Sequence, residues 1–270
     1  MALFGRERVR PRTPDQLRAM RVAGLLVART LEMLLAEARA GVTTAHLDAL
    51  AEDFIRSGGG VPNFQLVPGY SHTLCTSVGD EIVHGIPGER VLREGDLLSI
   101  DCGAEVEGWN GDSAITLVVG GDAAGDPAAA RLSEVTRRSM WAGIAAFRPG
   151  GDLNDIGGGV EDSIRADARA DGVDYGIVED YTGHGIGEHM HLPPNVPNYR
   201  VRGRTPQTLS GPPWPSSRWS PWAIRPTTSS TTSGPSSPTT ASRRPTGSTR
   251  SRSPSAACGC SPPSTAARPS

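Results

Sequence analysis

The chain contains no lysine; all 27 of its basic residues are arginine. Lysine codons are AT-rich, so this absence reads as the coding bias of a GC-rich gene. Acidic residues are absent after Glu188, although 29 occur up to that point. Residues 1–204 carry a net of −9 and residues 205–270 a net of +7, so the formal charge of −2 describes neither part. The acidic first part excludes a strongly basic nucleic-acid binder. Long apolar runs are missing too: nothing approaches the ~18 consecutive apolar residues of a membrane helix. Arg6, Arg8, Arg10 and Arg12 have no apolar stretch and small-residue cleavage site behind them, which excludes a secretory signal. Glu7 and Asp15 argue against a transit peptide. Cysteine is scarce. Cys75 and Cys102 are isolated, and Cys258 and Cys260 lie in a low-complexity tail, so neither a disulfide framework nor a zinc-finger spacing is present. The expected compartment is the cytoplasm.

What is present is a patterned stretch followed by an unpatterned one. The 270 residues suffice for one large domain or two small ones. Thr13-Pro14-Asp15-Gln16 combines a cap, a first-turn proline and a capping-box partner. Apolar spacing then predicts a helix to about Ala40, with Gly41 as the stop. A second helix is predicted from Thr44 through Phe54, ending at Gly58-Gly59-Gly60. A strand is expected over 73–77. A hairpin is expected from Leu97–Cys102 and Ser113–Val119, turning around Gly108–Gly111. Further helices are predicted from about Ser133 to Phe147 and from Leu153 to about Ala170. Helices alternating with antiparallel hairpins indicate an α+β fold. Beyond Arg204 the pattern stops: 41 of residues 205–270 are Ser, Thr or Pro. That composition suits a linker or a glycosylated stalk. Trp214, Trp219 and Trp222 suit neither.

Two aspartates stand out in the predicted hairpin. Asp101 lies in an apolar strand beside Leu97, Leu98 and Ile100, and Asp112 opens the facing strand. Either alone reads as a turn or edge residue. Side by side, two carboxylates repel unless a proton or cation sits between them, and an aspartate inside an apolar strand is expensive to bury unpaired. The pair therefore points to a metal. His184 is flanked by Gly183, Gly185 and Gly187, which leaves its imidazole uncrowded. His191 follows, and His84 sits in a Val83-His84-Gly85-Ile86-Pro87 loop. Taken singly, each of these histidines also reads as an incidental loop residue.

Together these segments resemble the type I methionine aminopeptidases, from Thr13 to about Thr205. The matching stretches include Met20-Arg21-Val22-Ala23-Gly24, Cys75-Thr76-Ser77-Val78, the His84 loop, both aspartate motifs, and Gly183–Gly187 with His191. The resemblance implies the pita-bread (creatinase/aminopeptidase) fold, with antiparallel sheet backed by helices and its C-terminal portion incomplete here. It also implies two divalent metal ions (Co, Mn, Fe or Zn), held by Asp101, Asp112 and His184, with Asp112 bridging. His84 and His191 would contact substrate and assist proton transfer. Tyr70 and Cys75 match positions lining the methionine pocket, and Val67 and Met190 stand at pocket positions that are commonly aromatic. The implied reaction removes the initiator Met from nascent proteins with a water activated between the ions, ~3.5–4 Å apart. The implied partners are nascent N-termini, at the ribosome, for a monomer with no membrane or specific nucleic-acid partner.

The family supplies two further ligands, glutamates in an Ile-Glu-Pro and a Trp-Glu-His segment, and this chain has neither. A shifted reading frame accounts for both. Joining each codon's third base to the next codon's first two, residues 211–220 permit Ala-Thr-Val-Ala-Ile-Glu-Pro-Met-Val, with the glutamate falling at Ser217. The same offset across 245–254 permits His-Trp-Glu-His-Thr-Val-Ala-Val-Thr, with the glutamate falling at Ser248. The organisation read from this is an N-terminal extension (1–12), a truncated pita-bread domain (13–206) and an out-of-frame tail (207–270), the break lying between Pro206 and Gly211. As written, the chain is expected to be inactive. Two other readings compete: a non-catalytic pita-bread binding module, disfavoured by the intact Asp and His set, and a related Xaa-Pro peptidase, disfavoured by the short N-terminal region.

Overall fold

A computed structural model describes residues 12–203, 205–208 and 228–230. The chain divides after Thr232, and everything described belongs to the first unit.

Helix α1 spans Pro14–Glu37. The Thr13 hydroxyl accepts from the Gln16 N–H, and the Gln16 side chain accepts from the Thr13 N–H, which closes the expected capping box. The helix ends slightly before Ala40, and Gly41 provides the turn with a φ of 90°. Helix α2 spans Thr44–Ser57 and is capped by Thr43. Both helices cover one face of an antiparallel sheet made of β1 (Val61–Pro62), β2 (Leu74–Val78), β3 (Leu97–Val106) and β4 (Trp109–Val118). β3 pairs with β4 along one edge and with β2 and β1 along the other. Side chains alternate across a strand, so Leu98, Ile100, Cys102 and Ala104 enter one core with Leu26, Leu31 and Leu47 of the helices. Ser99, Asp101 and Gly103 face the other way.

The hairpin is tighter than the sequence suggested. Its turn is Glu107-Gly108, both in the left-handed region (φ 51° and 81°), the pattern of a two-residue primed turn. Asn110 and Gly111, which read as turn residues, belong to β4.

Helices α3 (Pro127–Ala146) and α4 (Leu153–Asp171) pack together through Val135, Val160 and Ile164, joined by Tyr175. α3 begins six residues before the expected Ser133, because the Asp126 side chain caps Ala128 N–H and Pro127 takes the first helical position. β6 (Gly183–Gly185) and β7 (Leu192–Val196) form a second hairpin that glycine and proline hid from a periodicity search. β5 (Tyr175–Ile177) pairs with β8 (Thr228–Ser230).

That last pairing and the buried Thr208 lie within the stretch where the sequence pattern stops. Backbone pairing needs no apolar periodicity, and threonine suits a strand. The rest of the predicted tail, including its three tryptophans, lies outside the described residues, as do residues 1–11 of the predicted extension. Among the described residues no helix is long and apolar enough to cross a membrane.

Candidate metal and substrate site

The sheet face turned away from α1 and α2 carries the site. Register places Cys75 opposite Asp101 and Gly103 opposite Asp112. Asp101 and Asp112 are therefore diagonal neighbours on one face. They are only 6% and 5% exposed. Burial pushes the Asp112 carboxyl up to about 7, against a smaller downward pull from the Ser113 backbone N–H.

β6 presents His184 to this pair. Its Nε2 lies 3.7 Å from Asp112 Oδ2, and its Nδ1 lies 3.0 Å from the Gly185 carbonyl. A carbonyl can only accept, so Nδ1 carries the proton and the neutral ring turns its Nε2 lone pair towards Asp112. Burial holds His184 below the usual imidazole value; the Gly185 hydrogen bond opposes this less strongly. His191 stacks at a tilt beside it, with 4.3 Å between ring centroids. Burial, then the neighbouring His184 and His84, keep His191 low as well. Both rings are thereby biased towards the neutral form.

His84 adopts a left-handed backbone (φ 58°), uncommon outside glycine and a sign of local strain. The next residue fixes its loop to β2: the Gly85 carbonyl accepts from Thr76 N–H at 2.8 Å, and Gly85 N–H donates to Ser77 Oγ at 3.2 Å. The ring meets Tyr181 edge-on at 5.4 Å. Tyr70 donates its hydroxyl to the Leu74 carbonyl at 2.6 Å and sits 3.3 Å from Cys75 Sγ. Burial, with help from Cys75, pushes that hydroxyl well above the ordinary tyrosine value.

One cavity of about 710 Å³ brings together all seven residues singled out from the sequence. Val67 and Met190 line it too, with Phe64, Ile86 and Tyr181 adding apolar wall. That is the scale and character of a small-ligand pocket. The metal chemistry is tested by the Asp112–His184 pair. Ligands about 2.1 Å from a shared ion stand roughly 3–4 Å apart, so a separation of 3.7 Å fits one ion between them. Among the described residues no three ligating side chains are gathered into a cluster. Asp101 shares the face and the cavity without completing one.

Three positions that the sequence reading passed over support this site. Asp48, on α2, accepts from the backbone at the start of β2. Asn63 and Asn110 bond to each other beneath the histidine hairpin. Asn110-Gly111 is a turn signal in sequence, and that signal hid a buried strand residue.

The sequence pattern of Metallopeptidase family M24 matches residues 18–211. The chain belongs to that family. It is similar to "Methionine aminopeptidase 1" of Mycobacterium tuberculosis, 44% identical over 210 residues, 77% of this chain and 78% of that protein. It is 38% identical to "Methionine aminopeptidase 1" of Bacillus subtilis over 200 residues, 74% of this chain and 77% of that one. Among solved structures, methionine aminopeptidase from Rickettsia prowazekii superposes with a TM-score of 0.68 at 34% identity, covering 74% of this chain and 77% of its own. The prolidase of Pyrococcus furiosus, at 18% identity and a TM-score of 0.58, shares the fold. The fold is thus the pita-bread α+β arrangement, the enzyme class is metalloaminopeptidase, and the cofactors of the family are divalent metal ions.

Proposed function

We propose that this site is built to release the N-terminal methionine of nascent chains whose second residue is small, and that the polypeptide as written does not complete the reaction. The observation that carries the reading is the 3.7 Å approach of His184 Nε2 to the buried Asp112 carboxyl. Two electron-rich groups held together in a buried pocket call for a cation between them. In this reading Asp101, Asp112 and His184 would hold the divalent ions, drawn from Co, Mn, Fe or Zn. Bound divalent ions supply Lewis-acid charge and lower the pKa of water. Tyr70 and Cys75, with Val67 and Met190, enclose the methionine side chain. His84 and His191 bracket the peptide backbone. His191 takes up the proton that the attacking water loses and delivers it to the nitrogen of the departing amine. The setting is cytoplasmic, at the ribosome, with the chain acting as a monomer.

The missing step is one of ligand supply. The two family glutamates fall, in the alternative frame, at Ser217 and Ser248. Thr208 is still tied to the domain, its N–H donating to the Gly151 carbonyl at 2.8 Å, and the family match ends at residue 211. Both observations support a frame break between residues 208 and 211. That carries the in-frame domain slightly past the 13–206 bound read from sequence, and the tail begins correspondingly later than 207.

The test compares the chain as written with one restored to the alternative frame after Thr208, assayed on Met-Ala-Ser with added Co²⁺ or Mn²⁺. Negligible methionine release from the first and metal-dependent release from the second is expected. Comparable turnover by both would make the glutamates dispensable and refute the assignment.

A further inference from the structure

Among the described residues, the β6–β7 hairpin and the four-stranded sheet share no strand pairing. His184 thus belongs to one sheet and Asp112 to another, and something else must set the distance between them. Asn110 bridges that gap. It lies on the same face of β4 as Asp112 and is 3% exposed. Its backbone N–H and its side-chain Nδ2 both donate to one acceptor, the Gly187 carbonyl, at 2.9 and 3.1 Å. Gly187 sits in the connection between β6 and β7, between His184 and His191. Two donors from one residue restrain both the distance and the rotation of that carbonyl.

The other end of the amide is used as well. Asn110 Oδ1 accepts from Asn63 Nδ2 at 3.1 Å. The Asn63 carboxamide fills the space over Gly103, where even a Cβ would come within 2.1 Å of its Oδ1. With an acceptor on one side and a donor on the other, the Asn110 amide has a single satisfactory orientation. Arg12 restrains the same connection from outside, pairing with Glu188 and lying 5.2 Å over the Trp109 ring.

We propose that Asn110 is a positioning residue for the metal site, acting through the Gly187 carbonyl to set the separation of the His184 imidazole from the Asp112 carboxylate. The proposal rests on the metal-site reading above. Removing the side-chain donor leaves the Gly187 carbonyl with one bond where it had two and leaves the Asn63 amide only its longer bond, 3.4 Å, to the Gly111 carbonyl. The hairpin then pivots, and the imidazole leaves ligand reach.

The experiment uses the full chain, freed of metal by chelation and dialysis. Asn110→Ala removes the donor; Asn110→Asp keeps the shape and the acceptor for Asn63 but turns an oxygen towards Gly187. In both, amide hydrogen exchange over 183–192 should rise at least tenfold while α1 and β2 exchange as in the parent. Co²⁺ titration followed by visible absorption should show affinity about 10- to 100-fold weaker, the range for losing a group that orients a metal ligand. Asn110→His, which restores a ring N–H donor, should recover most of that affinity, and His184→Ala sets the reference for a lost ligand. Parental Co²⁺ affinity, or parental exchange over 183–192, in Asn110→Ala or Asn110→Asp overturns the proposal alone. A parent that takes up no Co²⁺ overturns the metal-site reading, and the proposal falls with it.

Discussion

Asp48 Oδ1 accepts from the Leu74 backbone N–H at 2.8 Å and from that of Thr73 at 2.9 Å, fastening the second turn of α2 to the start of β2. Its other oxygen lies 3.1 Å from His72 Nδ1. The strand so anchored carries Cys75, and the Leu74 carbonyl holds the Tyr70 hydroxyl. Asp48→Ala leaves two buried donors unsatisfied and should destabilise the fold by about 2–3 kcal/mol in urea unfolding. Asp48→Asn keeps one accepting oxygen and should lose less than half of that. Equal losses would mean that the His72 contact, not the backbone pair, is what matters.

Gly111 is where β4 crosses α1. A Cβ there would sit 2.8 Å from the Ala23 carbonyl carbon and the Gly24 nitrogen, and backbone cannot swing aside as a side chain can. Gly111→Ala should lower stability by about 1–3 kcal/mol, the range for overpacking. Gly24, on the same helix, has open space where its Cβ would go. Gly24→Ala should therefore raise stability by about 0.5–1 kcal/mol through helix propensity. Thermal melts of the two variants should move in opposite directions.

Acid should loosen the α3–α4 pair. The Asp171 carboxylate takes two hydrogen bonds from Arg131 and one from the Tyr175 hydroxyl, and the Arg131 bond does most to hold it below the usual carboxylate value. A depressed folded value contributes stability that is present above the unfolded value of about 3.9 and is lost as pH falls through the folded one. Asp171→Asn should flatten the acid limb of Tm against pH below 4 and leave the slope above it unchanged. High salt should shrink the difference, because the group is solvent-accessible. An unchanged acid limb would remove Asp171 from the account.

Asp112 pulls in opposite directions on chemistry and on stability. In frame-restored protein, Asp112→Asn should abolish metal-dependent methionine release. In metal-free protein the raised carboxyl opposes folding when ionised. The same substitution should therefore raise Tm at pH 8, and the gain should shrink as pH falls below about 7, where a proton neutralises the native group. A loss of Tm at pH 8 would show that Asp112 is not held ionised against its burial.

The elements legible from sequence were those with an apolar period and a local cap, as α1 shows through Thr13 and Gln16. The start of α3 is signalled by Asp126-Pro127, a cap and a first-turn proline, the latter six residues ahead of the expected Ser133. The β6–β7 hairpin carries glycines and prolines where a strand pattern should be, so nothing in its periodicity announced it. Asp101 and Asp112 were legible because charge in an apolar strand is costly and conspicuous. Asn110 was not, since its part depends on a carbonyl 77 residues away, which no local pattern records.

The two-residue turn at Glu107-Gly108 also fixes an order of events. Asp101 and Asp112 meet as soon as one local hairpin closes, whereas the imidazole arrives only after a far longer loop has been drawn shut. Loop-closure entropy favours the short contact first. On a growing chain both strands of that hairpin are present while His184 is still to be synthesised, so the two carboxylates can come together before the imidazole exists. Chain order and loop length agree on the sequence of arrival.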